Sequence, residues 1–448
     1  MDDHEMTRKG LMAKAKKPAQ DALDMHPYYR GKIEIVPKCV IRNIDDFAIW
    51  YTPGVAEPCR EIHKNPEKVF DYTNKANMVA IVTDGTRVLG LGNIGPMAGL
   101  PVMEGKAILF KYLGGVDAFP LCLDTTDPEE IIKTVKYISP TFGGVNLEDI
   151  ENPKCFYILE RLRAESPIPV WHDDQQGTAA VTVAALINAF RVVGKRMDEA
   201  RITLIGAGSA NICTANMLMK AGVDPSKMLV VDSKGILGEY RDDVKQGHKE
   251  KWQLCQKTNS EGRKGDMAEA LIGQDAVVAL SQSGPDVIEK EWISRMAEDA
   301  IVMACANPIP EIWPWDAKEA GARIVATGRS DFPNQVNNSI GFPAIFRGTL
   351  DVMAKTITDE MCIAAARELA RYAENRGITE DYLLPTMSES DVFPREAVAV
   401  AKMAMQQGVA RLYPTEKELF SMADQKIKRA REQVEVLMEK GVIAPYTE

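Results

Sequence analysis

Residues 201–211, RITLIGAGSAN, set a short apolar run directly before a glycine turn, and the helical stretch ICTANMLMKAG follows. That order leaves few folds open. A strand that ends in a tight glycine turn and re-enters as a helix opens a doubly wound α/β domain, because the helix must return over the sheet it left. Gly206 allows the tight turn, and Gly208 lets backbone N–H groups at the helix start approach a pyrophosphate. Asn211 stands where the fingerprint G-x-G-x-x-G has its third glycine, so helix–strand packing must differ there. The next strand, MLVVDSKG (228–235), ends near Asp232, 21 residues after Asn211, where an acid reaches a ribose hydroxyl. The dinucleotide set read from this pattern is Gly206, Gly208, Ser209, Ala210, Asn211, Asp232 and Ser233. The cofactor is NAD or NADP. Asp232 repels a 2′-phosphate and tilts the reading to NAD; Ser233, Lys234 and Arg241 would accept that phosphate, and Glu239 would oppose it.

At 448 residues the chain is too long for one ordinary core, and 45% hydrophobic with 26% charged residues is the composition of a soluble globular protein. A net charge of −10 argues against a nucleic-acid partner, so an anionic substrate needs a local basic group. The eight cysteines are scattered with no CxxC pair, which reads as reduced thiols in a cytoplasmic protein. The N-terminus has no apolar leader core, and no run approaches the roughly 18 apolar residues that span a bilayer.

Four segments are expected: a helical arm (1–30), an α/β domain for substrate and metal (31–175), the Rossmann-type domain (176–412) and a helical tail (413–448). In the first α/β domain, 78–84, 107–111 and 117–123 read as buried strands, and 127–138 and 152–163 as helices. Residues 178–193 form a long apolar helix joining the two domains. Beyond the glycine turn, 275–281, 300–308 and 322–328 read as strands and 359–376 and 395–410 as helices. The charged, amphipathic tail packs back on the first domain or on a partner subunit.

The chemistry concentrates in HDDQQGTAA (172–180), where Asp173 and Asp174 sit at the mouth of an apolar helix, and in NLEDI (146–150), which holds Glu148 and Asp149. Carboxylates without interleaved basic residues suit Mg²⁺ or Mn²⁺, which prefer anionic oxygen ligands. Taken pair by pair, Glu148-Asp149 also fits an exposed turn, and Asp173-Asp174 also fits a helix cap.

Five segments in this order resemble the malic enzymes of the short prokaryotic type: YTPGVAEPCREI (51–62), TDGTRVLGLGNIGPMAGLPVMEGKAILFK (83–111), NLEDI, HDDQQGTAA and NQVNNSIGFP (334–343). The resemblance implies oxidative decarboxylation of malate to pyruvate and CO₂ with NAD(P)⁺ and Mg²⁺ or Mn²⁺. It implies Glu148, Asp149 and Asp174 as metal ligands, Lys106 as the base for the malate hydroxyl with Asp173 beside it, and Tyr51 as the acid at C3. Burial near a metal would lower the Lys106 pKa, which suits a base. The resemblance also implies Arg87 as the grip on a carboxylate, and Asn307 and Asn338 between substrate and nicotinamide, Asn307 touching both. Departures lie at Asn211 and at Ile212-Cys213 after it. A homodimer or dimer of dimers is implied as well. A malolactic-type lyase releasing lactate, or a decarboxylating dehydrogenase for a related 2-hydroxy acid, stands as the alternative.

Overall fold

The computed structural model describes residues 17–446; the first sixteen residues of the expected arm lie outside them. Two sheets form the frame. The first is all parallel, with β1 (Met78–Thr83), β2 (Asp117–Cys122), β3 (Gly144–Leu147) and β4 (Val170–His172) in the order β2-β1-β3-β4. Its central strand reads as an unbroken apolar run, Val79–Val82, because helices cover both faces. The strands β3 and β4 are too short to announce themselves by periodicity.

The expected strand at 107–111 is instead the last part of a helix, Pro96–Gly114. Pro96 opens it at a position whose missing N–H costs nothing, and Gly115, at φ 61°, closes it in the left-handed region. A five-residue apolar run does not by itself distinguish strand from helix. The wider spacing does: Gly99, Met103, Ala107, Phe110 and Gly114 line one buried face three or four residues apart. Lys106 therefore sits on a helix, on the turn that buries Met103 and Phe110.

The second sheet holds β5 (Ile202–Ile205), β6 (Met228–Asp232), β7 (Gly235–Ile236), β8 (Ala276–Ala279), β9 (Ile301–Ala304) and β10 (Ile324–Thr327), in the order β10-β9-β8-β5-β6-β7. All pairings are parallel except the short β6–β7 hairpin. The chain leaves β5 for β6 on one side and returns to β8 on the other, so the sheet's switch point lies between β5 and β8. The joining helix, Thr178–Val192, is buried along nearly its whole length, and one apolar core runs through both halves. Phe110 and Trp171 of the first half pack there against Phe346.

The tail takes the first of its two expected places. Its helix, Glu416–Glu439, begins with a capping box at Thr415 and Glu418. It lies on the Lys106 helix: Arg431 Nε donates to the Tyr112 carbonyl at 3.1 Å. Lys426 Nζ lies 2.5 Å from Asp351, which pairs at 2.8 Å with the fully buried Arg347. All eight cysteines are free; Cys39 and Cys59 are exposed, whereas Cys155, Cys255, Cys305 and Cys362 are buried. No helix among the described residues is long and apolar enough to cross a membrane.

Candidate active site

The acids gather where β1, β3 and β4 end. Glu148 and Asp149 follow β3, and Asp173 and Asp174 follow β4. Asp149 holds φ +54°, a left-handed conformation that is costly for a residue with a side chain and that clusters at functional sites. The strained turn is pinned on both sides: the Arg87 N–H donates to the Asp149 carbonyl at 2.9 Å, and the Asp149 N–H donates to Asp174 Oδ2 at 2.8 Å. Asn146 Nδ2 donates to Glu148 at 2.8 Å. Residues 173–177 form a π-helical turn, a form found mostly at functional sites. It closes only because residue 177 is glycine, since a Cβ there would lie 1.8 Å from Asp173 Oδ1.

One carboxylate oxygen from each of Glu148, Asp149 and Asp174 lies within 4.8 Å of the other two. Asp149 Oδ2 is buried without a hydrogen-bond partner in the chain. An all-oxygen, anionic set with an unspent lone pair fits a hard divalent cation. Burial, reinforced by mutual repulsion, pushes the carboxyls of Glu148, Asp149 and Asp174 up; burial also pushes Asp173 up.

Lys106 enters this cluster from its helix. It pairs with Asp173, lies 3.1 Å from Glu148 and sits 4.5 Å over the Phe342 ring. The expected lowering of its pKa is not found. Burial alone would lower it, but Asp173, Glu148 and Asp174 outweigh burial and the net shift is upward. His172, fully buried beside the acids, is pushed down to about 3 by burial and then by the Lys106 charge, so it stays neutral.

Arg87 is exposed, and its charge acts on Asp174. Asn307 lies against the same loop: a Cβ on Gly90 would fall 2.5 Å from the Asn307 carbonyl, and one on Gly328 would fall 2.9 Å from Asn307 Nδ2. The Asn338 Cβ lies 3.3 Å from the Cβ position of Gly177. Arg87, Asn307 and Asn338 thus border the acid cluster. Tyr51 does not join them. It is 70% exposed, and among the described residues no hydrogen bond or ion pair joins it to Lys106 or the acids.

Two supports went unread in the sequence. Asp84, buried at the end of β1, accepts from Thr86 Oγ1 at 2.6 Å and pairs with Lys154 at 2.7 Å. Thr86 in turn accepts from the Glu151 N–H at 3.0 Å, which ties the loop after Asp149 to β1. An acid next to glycine at the end of an apolar strand, as in TDGTR, is the signal that could have found it. Glu311 accepts from the N–H groups of Ser281 (2.8 Å) and Ala306 (3.0 Å), clamping the loops after β8 and β9 beside Asn307.

The glycine turn sits at the switch point. Gly206 holds φ +95°, and a Cβ there would lie 2.5 Å from the Leu280 carbonyl. Gly208 starts the helix Ser209–Ala221 with no side-chain cap, which leaves the N–H groups of the first turn, at Ser209 and Ala210, without a side-chain partner. A Cβ on Gly208 would meet only Asn152 Nδ2, 4.0 Å away across the cleft. That open N-terminus fits a pyrophosphate. Asn211 shows how the fingerprint dispenses with its third glycine: buried, it donates to the Ile205 carbonyl at 2.8 Å and stitches helix to strand. Asp232 accepts from Arg241 at 3.0 and 3.1 Å and from the Lys234 N–H at 3.0 Å, with Lys251 at 3.4 Å. Ser233 beside it is exposed.

Two family models match the chain in order. The malic enzyme N-terminal domain matches residues 30–163, and the malic enzyme NAD binding domain matches residues 175–405. The chain is 50% identical over 397 residues to the bifunctional malic/malolactic enzyme of Bacillus subtilis, covering 88% of this chain and 94% of that one. It is 47% identical over 382 residues to the NAD-dependent malic enzyme of Geobacillus stearothermophilus, covering 85% and 78%. The crystal structure of Entamoeba histolytica malic enzyme superposes with a TM-score of 0.95 at 47% identity, covering 98% of this chain and 92% of that one. With both family domains matched in order over most of its length, the chain belongs to the malic enzyme family.

Proposed function

We propose that the chain oxidises and decarboxylates L-malate to pyruvate and CO₂, with NAD(P)⁺ as oxidant and a divalent cation, Mg²⁺ or Mn²⁺. The observation that carries this reading is the meeting of the Lys106–Asp173 pair with the Glu148, Asp149 and Asp174 cluster beside the dinucleotide turn. When bound, the cation supplies Lewis-acid polarisation of the hydroxyl-bearing carbon's oxygen and the nicotinamide supplies the hydride acceptor.

The chain's residues do the rest. Arg87 grips a malate carboxylate, and Asn307 and Asn338 orient the substrate between metal and nicotinamide. Lys106 removes the hydroxyl proton. In the bare chain Asp173, Glu148 and Asp174 keep Lys106 protonated; a cation held by Glu148, Asp149 and Asp174 would offset the Glu148 and Asp174 part of that field and make the proton easier to lose. Asp173 orients the lysine. After CO₂ leaves, Tyr51 protonates C3 of the enol to give pyruvate. NAD is the preferred cofactor, because the Arg241 guanidinium is already committed to Asp232 and Asp243. The active species is a homodimer or a dimer of dimers, supported by the exposed apolar residues around Tyr51, and it works in the cytoplasm, supported by eight unpaired cysteines.

A second reading, malate to lactate without net cofactor reduction, is favoured by the name of the Bacillus subtilis relative. One experiment decides. L-malate and Mn²⁺ are given with NAD⁺ or NADP⁺, cofactor reduction is followed by absorbance, and pyruvate and lactate are assayed. Stoichiometric pyruvate is expected; lactate without reduction selects the second reading. Lys106→Ala should lower kcat by about 10²–10⁴-fold while NAD binding persists, and near-normal turnover would remove Lys106 from its role.

A further inference from the structure

We propose that Arg329 is a positioning residue of this site: it fixes the turn that carries Asn307 and thereby sets the affinity for the dicarboxylate. The proposal rests on the reading of Asn307 as a ligand of malate.

Asn307 has little of its own to aim it. The residue is exposed, and among the described residues its side-chain amide makes no hydrogen bond. An unspent amide just past the carboxyl end of a parallel strand stands where ligands gather. Its direction is set by the backbone on either side. Glu311 holds the residue before it, accepting from the Ala306 N–H at 3.0 Å. Arg329 holds the residue after it, because its Nη1 donates to the Pro308 carbonyl at 2.6 Å. One residue further on, the Ile309 N–H donates to Ser283 Oγ at 3.1 Å. Without Arg329 the turn keeps its outer ties and loses the one that joins it to the loop after β10.

Arg329 is built to hold that carbonyl in one place. Its Nε and Nη2 donate to the two carboxylate oxygens of Asp331, each at 2.8 Å. A two-point pair of this kind fixes the plane of the guanidinium, and the remaining nitrogen then points at Pro308. The side chain is only 15% exposed, and its guanidinium lies 5.8 Å from the Phe332 ring. The Arg329 N–H donates to Thr327 Oγ1 at 3.2 Å, which anchors the residue to the end of β10. A lysine could not replace it, because one ammonium on a flexible stem does not reproduce a planar fork. Asp331 balances the charge, so Arg329 contributes geometry rather than attraction.

The same stretch reaches the second asparagine. The Val336 N–H donates to the Thr327 carbonyl at 2.7 Å, and Asn337 Nδ2 donates to the Gly328 carbonyl at 3.4 Å. Asn337 Oδ1 accepts from the Ser339 N–H at 2.9 Å and so caps the turn that carries Asn338. Residues 327–329 therefore join the Asn307 turn to the Asn338 turn, and Arg329 closes that joint on the Asn307 side.

The test compares the full-length wild type with Arg329→Met, Arg329→Lys, Asn307→Ala and the double variant Arg329→Met with Asn307→Ala. L-malate binding is measured by titration calorimetry with Mn²⁺ and NADH present, so that no oxidation follows. Arg329→Met and Arg329→Lys should each bind malate about tenfold or more weakly, with NADH affinity unchanged. In the Asn307→Ala background Arg329→Met should cost little further, because both changes remove one interaction. Amide hydrogen exchange gives a second reading: protection at Ala306 and Ile309 should fall in Arg329→Met while β9 keeps its own. Unaltered malate affinity in Arg329→Met, full affinity in Arg329→Lys, or a loss that adds in full to that of Asn307→Ala would overturn the proposal. A wild type that binds no malate overturns the catalytic reading and the role of Arg329 with it. A wild type that binds malate beside variants that bind it equally well overturns the role of Arg329 alone.

Discussion

A glycine and four acids decide what the site can be. Gly177 is required by contact, because any side chain would displace the Asp173 carboxylate that pairs with Lys106. Asp174→Asn removes one of three anionic ligands while its amide oxygen can still accept the Asp149 N–H, so Mn²⁺ affinity measured by titration calorimetry should fall by about tenfold or more, with the fold retained by circular dichroism. Away from the site, Glu396 is fully buried with neither carboxyl oxygen hydrogen-bonded, and burial, with the Glu368 charge nearby, holds its pKa well above the usual range. The unfolded chain titrates near 4.5, so the folded state retains an extra proton above that pH and stability falls as pH rises through the window. Glu396→Gln should therefore lose less stability than the wild type between pH 5 and pH 8, a difference of about 1 °C in Tm for each kcal/mol relieved in a chain of this length. The acids and the lysine that the fold brings together are legible in the sequence as residue types in order, whereas Tyr51 stays apart from them. The left-handed Asp149, the Asp84–Lys154 brace and the neutral His172 were not, because each depends on neighbours distant in the chain.

At the scale of elements, sequence patterns read well wherever a signal repeats over several turns or is bracketed by turn residues. The helix expected at 359–376 is found as Asp359–Arg376, with Thr358 as its cap and Gly377 as its end. The run 107–111 misread because five apolar residues carry no period, and the strands β3 and β4 were missed because four and three residues carry none either. In the sequence Asn211 marks a departure that must change helix–strand packing; the structure makes it a hydrogen-bonded substitute for close packing. The tail shows an interaction that no local pattern encodes, since Asp351 gathers Arg347 and Lys426 from two helices. Asp351→Asn would leave Arg347 buried without its counter-charge and should cost about 3 kcal/mol, seen as a lower Tm with unchanged NAD affinity.

For the molecule as a whole, the division into a half that carries the acids and a half that carries the glycine turn is plain in the sequence, but their union is not. One apolar core crosses between them, and the Arg87 loop touches Asp149 on one side and Asn307 on the other. The site is thus a seam between halves. The uncovered stretch 35–51 also escaped sequence reading, because its isoleucines and aromatics look like core residues until the fold leaves them outside. The cysteines carry a consequence of this arrangement. The two exposed thiols, Cys39 and Cys59, both lie in the stretch 35–64 around Tyr51, and the buried ones lie in the body of the fold. The protein therefore holds its own chemical footprint: alkylation of Cys39 and Cys59 should slow as protein concentration rises and copies associate, while the buried thiols react only after denaturation and set the scale. A concentration-independent, rapid reaction at both would mean that this stretch stays bare.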